Sequence, residues 1–390
     1  MKKNTGIYIH VPFCKSKCPY CDFYSVTDRN EDIKQRFAEA LCSEIEYYGA
    51  EYGFSSGKNV RAIDTIYFGG GTPCLLKLVQ LNNILEALDR AFPIDKNVEI
   101  TAEANPSDID YEKLSQYRKL GINRISLGVQ SLDDNVLKIL GRRHRKDDAV
   151  NSIETARRAG FDNISVDLMF GIYGQSFESW TETLNKIFYF HPEHLSFYSL
   201  EIMENTVFER MYKHGKLKET DPDYDRKMYE YCLNSLDKHG MVQYEISNAS
   251  VPSFECRHNY KYWDFKEYLG MGPSSHSFMS GYRFNNIGDV YEYIDCVDKG
   301  AMDKIIGHMR KNTFEDNVSE YIFTGLRKNK GINLEDFRLR FNKNLWDIFE
   351  KEHAEFLDFV EAGAAVEEKN FIRITQRGMS ISNKIMALFV

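Results

Sequence analysis

Three cysteines lie within eight residues near the start of the chain. Cys14, Cys18 and Cys21 are spaced C-x3-C-x2-C, whereas the other five cysteines of the 390-residue chain are scattered singly. Thiolates are the protein ligands that iron–sulfur clusters prefer, so three of them on one loop can bind three irons of a 4Fe–4S cube. No fourth ligand stands beside them, which would leave one iron open to a small chelating ligand.

Two other interpretations of these cysteines are weaker. Structural zinc needs four ligands, usually in C-x2–4-C pairs, and would have to recruit His10 or a distant residue. Incidental core cysteines beside Pro12 and its aromatic neighbours are the second alternative. A disulfide framework is typical of small secreted chains, so a tight cluster in a chain of this length indicates metal or redox chemistry.

Glycines and polar residues stand at several predicted strand ends. The run Gly69–Pro73 (GGGTP) follows the second strand, where glycines let backbone N–H groups approach a bound group closely. Glu103, Gln130 and Asp167 lie in the next three strands, where a polar side chain is costly to bury unless it is paired. Each could be a hydrogen-bonded core residue, and the glycines an ordinary turn. Three polar residues at corresponding positions of neighbouring strands indicate a functional site.

Short β-rich runs alternate with helical stretches from residue 6 to about residue 250. The predicted strands are Gly6–Val11, Asp64–Phe68, Val98–Ala102, Arg124–Val129, Asn163–Phe170, His194–Leu200 and Gln243–Ser247. Apolar residues at i, i+3 and i+4 predict helices between them, as in Lys34–Tyr48, Lys77–Ala91 and Ala149–Ala159. This α/β repetition predicts a parallel sheet with right-handed crossovers. About six units make a barrel or an open part of one, with its site at the carboxyl ends of the strands.

The pattern changes after about residue 300. The helical patterns Val318–Lys328, Leu334–Phe341 and Leu345–Glu361 precede a short strand, Phe371–Thr375, and a last helix after Gly378. A mainly helical domain with a β wing is similar to a winged helix. Residues 310–390 contain 13 Lys/Arg and 13 Asp/Glu, whereas a DNA-binding winged helix is normally basic. We therefore expect packing or partner docking here, and no nucleic acid as a partner.

Composition indicates a globular chain of about two or three domains. The formal net charge of −8 gives no general attraction to nucleic acid or to anionic membranes. No uncharged apolar run reaches about 18 residues, and the start Met1-Lys2-Lys3 leads into no signal-peptide pattern, so we expect a cytoplasmic protein with reduced thiols. The expected domains are residues 1–250, a connecting segment 251–300, and residues 301–390.

The cysteine motif after the first strand resembles the radical S-adenosylmethionine (SAM) superfamily. The resemblance implies a partial (β/α)6 barrel whose cluster binds SAM by its amino and carboxylate groups and cleaves it to a 5′-deoxyadenosyl radical. The GGGTP run resembles the GGE-type motif of that superfamily, with Gly71 in place of the acid. By this resemblance, the SAM contacts are Tyr8, Tyr20, Gly70, Gly71, Thr72, Glu103, Gln130, Arg142 and Asp167. Without it, Arg142 would be interpreted as a solvated surface arginine.

Over nearly the whole chain, the motifs follow the order of the oxygen-independent coproporphyrinogen III oxidase family. The segment His258–Trp263 contains H-N-x-x-Y-W, which resembles the haem-binding motif of the haem-chaperone (HemW-like) branch of that family. Imidazole is the commonest proximal ligand of haem iron, so His258 is the expected axial ligand. Cys256 is an alternative and His276 a weaker one. An aromatic loop with one hydrogen-bonded histidine is the competing interpretation.

Two departures weigh against the porphyrinogen-oxidising branch. That branch has a further cysteine two residues after the third, where this chain has Phe23, and a long arm for which Cys14 leaves no room. We therefore expect a haem chaperone that carries a SAM-ligated 4Fe–4S cluster and delivers haem to acceptor proteins, with respiratory membrane-associated proteins as candidates and an electron donor for the cluster. The alternatives are oxidative decarboxylation of coproporphyrinogen III and a nucleic-acid-binding regulator. Whether the protein is an enzyme is left open by the sequence.

Overall fold

The computed structural model describes residues 4–57 and 60–390. Met1-Lys2-Lys3, on which part of the signal-peptide argument depends, lies outside the described residues. The strands are β1 (Asn4–Val11), β2 (Ala62–Gly70), β3 (Ile94–Ala104), β4 (Arg124–Gln130), β5 (Ile164–Phe170), β6 (His194–Ser199), β7 (Val242–Glu245), β8 (Asn248–Ser250), β9 (Tyr268–Met271), β10 (His276–Met279), β11 (Tyr282–Asn286), β12 (Ile306–Lys311), β13 (Ile332–Asn333), β14 (Ala365–Glu368) and β15 (Phe371–Ile374).

Helices connect and cover these strands. They are α1 (Glu31–Tyr52), α2 (Leu78–Ala91), α3 (Tyr111–Lys119), α4 (Asp134–Ile139), α5 (Lys146–Arg158), α6 (Phe177–Tyr189), α7 (Val207–Lys213), α8 (Pro222–Leu236), α9 (Arg257–Trp263), α10 (Val290–Asp298), α11 (Phe314–Leu326), α12 (Leu334–Phe341), α13 (Leu345–Ile348), α14 (Glu350–Glu361), α15 (Gln376–Met379) and α16 (Ser382–Met386). Local chemistry sets several of their starts. Asn30 caps α1 by accepting the N–H of Asp32, and Ser176 caps α6 by accepting the N–H of Ser179.

The predicted α/β architecture of six parallel strands is confirmed. Strands β1 to β6 lie side by side in chain order and pair in parallel. The residues of β1, β4 and β5 are buried almost without interruption, because helices cover one face of the sheet and the barrel interior lies against the other. The sheet remains open, as expected for a partial barrel, and the carboxyl ends of these strands meet at one edge.

Additional strands extend the sheet at both sides of the parallel block, giving twelve strands in the order β12-β11-β10-β9-β1-β2-β3-β4-β5-β6-β8-β7. The strand predicted over Gln243–Ser247 forms as β7, but it pairs antiparallel with β8 and is not a seventh parallel repeat. On the other side β9 pairs in parallel with β1, and β10 to β12 continue as antiparallel strands. The sequence analysis did not predict this second extension.

The C-terminal region has the expected helical character with a small β wing. Strands β13, β15 and β14 form a three-stranded antiparallel sheet, and a second hydrophobic core lies between it and the surrounding helices. The single helix predicted over Leu345–Glu361 is divided into α13 and α14, because Phe349 leaves the helical backbone conformation. The boundaries at residues 250 and 300 stay predictions. No helix in the described ranges has the length and apolar character that crossing a membrane requires.

Candidate functional site

The loop that carries the three cysteines begins directly after β1 and is closed at its base. The N–H of Cys14 donates to the carbonyl of Val26 at 2.9 Å, and the N–H of Val26 donates to the carbonyl of Pro12 at 2.7 Å. Phe13 anchors the same base in the core, where its ring packs edge-on against Phe37. The intervening cysteines are therefore held over the carboxyl end of the parallel sheet.

All three cysteines face one cavity and are partly exposed. Cys14 Sγ lies 3.6 Å from Thr72 Oγ1, and Arg142 Nη1 donates to Cys18 Sγ at 3.6 Å. Burial raises the pKa of Cys21 to about 11, so this thiol keeps its proton until a metal displaces it. The cavity thus offers soft sulfur donors beside a cation.

The donor set fits an iron–sulfur cluster better than a single metal ion. Within the described ranges, no group of three or more His, Cys, Asp or Glu side chains converges to hold one ion. Zinc would require such convergence of four ligands. A 4Fe–4S cube instead takes each thiolate on a different iron, so its ligands stand farther apart.

Two glycines at the end of β2, Gly70 and Gly71, allow the chain to approach this loop. Gly70 has a φ of +103°, and a Cβ added there would lie 2.6 Å from the ring of His10. A Cβ at Gly71 would lie 2.6 Å from the carbonyl oxygen of Phe13 and 2.8 Å from that of Val11. Real Cβ atoms do not approach a carbonyl so closely, so position 71 has no space for the acid of the GGE-type motif.

A cavity of about 530 Å³ lies beside the cysteine loop, within the size range of about 300–1,000 Å³ that is usual for ligand sites. Eight of the nine expected SAM-contacting residues line it: Tyr20, Gly70, Gly71, Thr72, Glu103, Gln130, Arg142 and Asp167. We call this space the SAM cavity. Tyr8, the ninth, lines a neighbouring cavity instead.

Two half-buried carboxyl groups, Glu103 and Asp167, set the electrostatics of the SAM cavity. Glu103 accepts from the Tyr67 hydroxyl at 2.9 Å and from the N–H of Gly70 at 3.2 Å, while Asp167 accepts from Ser126 Oγ at 3.0 Å. Burial, with a contribution from Asp167, raises the pKa of Glu103 to about 7, and burial also raises that of Asp167. The cavity can therefore change its charge near neutral pH.

Hydrogen bonds also fix the other two polar candidates. Gln130 has a φ of +66° and accepts from the Tyr198 hydroxyl at 3.2 Å. Arg142 is not a solvated surface residue, because its Nη2 donates to Asn105 Oδ1 at 2.5 Å and to the carbonyl of Gly128 at 2.8 Å. Both side chains are thereby directed toward the cavity rather than toward solvent.

The sequence analysis missed Arg124, which lines the same cavity from the start of β4. Its guanidinium is buried, and its Nε has no hydrogen-bond partner among the described residues. The charge of Arg124 interacts with the carboxyl groups of Glu99, Glu103 and Asp167, although none of them forms an ion pair with it. The available signal was a charged residue inside an apolar strand pattern, which is costly to bury.

A third cavity, of about 710 Å³, opens beside the SAM cavity. Aromatic rings form much of its wall, and we call it the aromatic cavity: Tyr8, Phe23, Tyr24, Tyr67, Tyr262, Trp263, Phe265 and Tyr268. Six residues line both cavities: Asp22, Phe23, Tyr67, Gly70, Glu103 and Asn259. Phe23 is 60% exposed at this junction. A ligand in the aromatic cavity would therefore lie next to a ligand in the SAM cavity.

His258 lies at the start of α9, in the wall of the aromatic cavity, and is only 1% exposed. Its Nδ1 is hydrogen-bonded to Thr65 Oγ1 and its Nε2 to the Tyr262 hydroxyl, both at 2.9 Å. Burial, together with the charge of Lys261, lowers its pKa to about 3, so the ring is neutral. To ligate haem iron as expected, it would have to give up one of these bonds.

Cys256 and His276, the two alternative haem ligands, differ in whether they reach the aromatic cavity. Cys256 is fully buried and lines neither cavity, and burial raises the pKa of its thiol to about 12. His276, the first residue of β10, is exposed and lines the aromatic cavity. Burial of part of the ring and the charge of Arg283 lower its pKa, which favours the neutral imidazole.

Comparison with protein families matches two parts of the chain. Residues 8–187 match the radical SAM superfamily, and residues 313–381 match the HemN C-terminal domain. The first match contains the end of β1, the cysteine loop and β2 to β5. The second contains α11 to α15 and the β wing.

Relatives match over nearly the full length of the chain. "Heme chaperone HemW" of Bacillus subtilis is 33% identical over 384 residues, covering 98% of each chain. "Heme chaperone HemW" of Lactococcus lactis is 31% identical, covering 100% of this chain and 98% of the relative. Among solved structures, the coproporphyrinogen III oxidase HemN of Escherichia coli matches with a TM-score of 0.86 and 20% identity, covering 100% of this chain and 90% of that one. At this identity, the structural match shows the fold alone.

Proposed function

The chain belongs to the HemW family of radical SAM proteins, and we propose that it is a haem chaperone that binds haem beside a SAM-ligated 4Fe–4S cluster and passes it to acceptor proteins. The relatives from Bacillus subtilis and Lactococcus lactis, which match almost from end to end, are named heme chaperones. The observation on which this proposal depends is the aromatic cavity that shares six wall residues with the SAM cavity.

In this proposal Cys14, Cys18 and Cys21 hold the cluster. When bound, the cluster supplies an electron and an open iron to which the amino and carboxylate groups of SAM bind. The eight expected SAM contacts that line the SAM cavity bind and orient SAM. Glu103 offers a carboxylate to its ammonium group, and Arg142 offers a guanidinium near the cluster loop.

The aromatic cavity fits haem by size and by chemistry. Flat rings offer apolar surface to a porphyrin, and the cationic side chains Lys266 and Arg283 line the same cavity, where they suit propionate groups. Tyr8 and His258 belong to this wall and are proposed haem contacts. Haem-acceptor proteins and an electron donor for the cluster remain the proposed partners, and the cytoplasm the proposed location, since the cluster ligands must stay reduced.

The test is haem transfer from the anaerobically reconstituted protein. We expect one haem per chain in a titration followed by absorbance. Haem should then pass to a haem-free cytochrome at a rate that rises with the cytochrome concentration, because direct transfer requires contact between the two proteins. A rate independent of the acceptor would show passive dissociation and contradict the chaperone function.

A further inference from the structure

We propose that His276, rather than His258, supplies the axial imidazole to the iron of bound haem. The inference rests on the proposed function, because it assumes that haem occupies the aromatic cavity. It assigns the iron to a different side chain from the one in the H-N-x-x-Y-W segment. Four observations support it. Both ring nitrogens of His258 are hydrogen-bonded, those of His276 are not, the backbone that carries His276 is rigid, and the other potential ligands of the cavity already have hydrogen-bond partners.

The imidazole of His258 is already fully engaged. Thr65 and Tyr262 occupy its two ring nitrogens, as described above. The backbone N–H groups of Arg257 and His258 both donate to the carboxylate of Glu99 at 3.1 Å, which fixes the start of α9 on β3. The ring is also packed tightly, since a Cβ added at Gly6 would lie 3.0 Å from His258 Cε1. Turning the ring toward a ligand would break bonds that are buried and costly to lose.

His276 differs in each of these respects. Its side chain is exposed on the wall of the aromatic cavity, and its ring has no hydrogen bond or ion pair with any residue in the described ranges. Either ring nitrogen can therefore offer its lone pair without breaking an existing contact. Arg283, on the neighbouring strand β11, contributes positive charge to the same wall.

The backbone beneath His276 is held by a buried acid. The carboxylate of Glu44, on α1, accepts from the N–H of Gly272 at 2.8 Å and from Asn286 Nδ2 at 2.6 Å, and Tyr293 donates to it at 2.5 Å. Gly272 begins the turn between β9 and β10, and Asn286 lies on β11 beside the partner of His276. A ligand on such a fixed strand is pre-organised for a metal.

The remaining side chains of the cavity are poor competitors. His10 uses both ring nitrogens, with the Tyr8 hydroxyl at 3.2 Å and the carbonyl of Tyr24 at 2.9 Å. A tyrosine binds iron through its phenolic oxygen, and the hydroxyl of every tyrosine that lines this cavity already has a hydrogen-bond partner: Tyr8, Tyr24, Tyr67, Tyr262 and Tyr268. Among the three histidines that line the cavity, His276 alone has an unoccupied nitrogen in the described structure.

The experiment titrates ferric haem into the full-length protein and follows its absorbance and electron paramagnetic resonance spectra. The variants are His276→Ala, His258→Ala, and His308→Ala as a matched control. His308 lies on β12, opposite the same residue of β11 that pairs with His276, but it does not line the cavity. Circular dichroism checks the fold of each variant, which matters most for the buried His258.

We expect His276→Ala to lose the imidazole-ligated spectrum and to weaken haem binding by roughly tenfold or more. Free imidazole should restore the spectrum, and His308→Ala should match the wild type. An unchanged spectrum in His276→Ala would overturn the assignment, as would loss of the ligated spectrum in a folded His258→Ala variant alone. If the wild-type protein binds no haem, the proposed function fails and the assignment with it. Failure of the assignment alone leaves wild-type binding intact, so the two failures are distinguishable.

Discussion

Glu103 is the residue that sets the charge of the SAM cavity near neutral pH. Its carboxyl has an ordinary pKa of 4.5, which burial and the nearby Asp167 raise to about 7. A raised pKa means that the folded protein favours the protonated acid. The resulting stabilisation is fully present below about pH 4.5 and is lost as the pH rises through about 7. An ammonium group from SAM reverses this preference, because it favours the carboxylate.

We therefore expect SAM affinity of the cluster-loaded protein to rise roughly tenfold between about pH 6 and pH 8, as Glu103 ionises. Glu103→Gln should bind SAM weakly at both pH values, because an amide cannot ionise. The measurement is an anaerobic SAM titration at each pH. A Ser152→Ala variant, which changes a buried side chain of α5 that bonds the carbonyl of Ala149 and lies outside the cavity wall, serves as the control and should keep the wild-type slope. A flat wild-type profile would contradict the role of Glu103.

In the proposed site, the three loop cysteines bind the cluster as one unit. We expect replacement of Cys14, Cys18 and Cys21 by Ala to remove the brown chromophore and the bound iron and sulfide, because each thiolate holds a different iron. Cys42→Ala and Cys296→Ala are suitable controls, since both residues are partly exposed free thiols outside the cavities. The measurement is the iron and sulfide content of each variant after anaerobic reconstitution. A triple variant that retains about four irons per chain would refute the assignment.

The strands of the partial barrel were predictable because each carries its own signal. Runs such as Arg124–Val129 and Asn163–Phe170 have apolar residues at every second position or more over the length of a strand, and helices with clear periodicity separate them. Strands β9 to β12 carry no such signal. They are four to six residues long with mixed polar and apolar residues, and long-range pairing with β1 decides their conformation.

The surroundings of His258 could not be predicted from the sequence either, because they also depend on long-range contacts. No side chain of the segment before α9 caps that helix, and the cap is supplied by Glu99 on β3, more than 150 residues earlier. The partner of His258 Nδ1 is Thr65 on β2. The motif therefore predicted where a histidine would lie, but not that its nitrogens would be occupied.

The close approach of β2 to the cysteine loop is a testable consequence of Gly71. We expect Gly71→Ala to cost about 1–3 kcal/mol of unfolding free energy and to lower cluster incorporation, because the added Cβ would press on the carbonyls of Phe13 and Val11. Thermal unfolding and iron content measure the two effects. Gly288→Ala is the matched control, since a Cβ there meets no atom within 4 Å. Equal behaviour of the two variants would contradict the steric argument.

The C-terminal region takes part in the site as well as in packing. Thr324 of α11 lines the aromatic cavity, and Glu320 of the same helix pairs with Arg283 of β11 at 2.6 Å. Lys328 pairs with Asp264, directly after α9, also at 2.6 Å. These contacts place α11 against one side of the proposed haem site. Charged residues of this region are therefore used for contacts within the chain.

The fold is shared with a coproporphyrinogen III oxidase, so an assay of oxidase activity distinguishes a haem chaperone from an oxidase. Decarboxylating two propionates of coproporphyrinogen III requires each in turn to lie in near-attack geometry, where a misplacement of about 1 Å can cost roughly 10²-fold. Phe23, at the position where the resemblance implies a further cysteine in the oxidising branch, is 60% exposed at the junction of the two cavities. A bulky apolar ring there suits a flat oxidised porphyrin better than it positions a flexible propionate.

We therefore expect no conversion of coproporphyrinogen III to protoporphyrinogen IX, although the protein should bind SAM. The assay combines the reduced, cluster-loaded protein with excess SAM and coproporphyrinogen III under anaerobic conditions, and separates the oxidised porphyrins by chromatography. A small amount of SAM cleaved without product would fit this expectation, because uncoupled cleavage needs only the cluster and SAM. Protoporphyrin formed over many turnovers would refute it and assign the SAM cavity to oxidative decarboxylation.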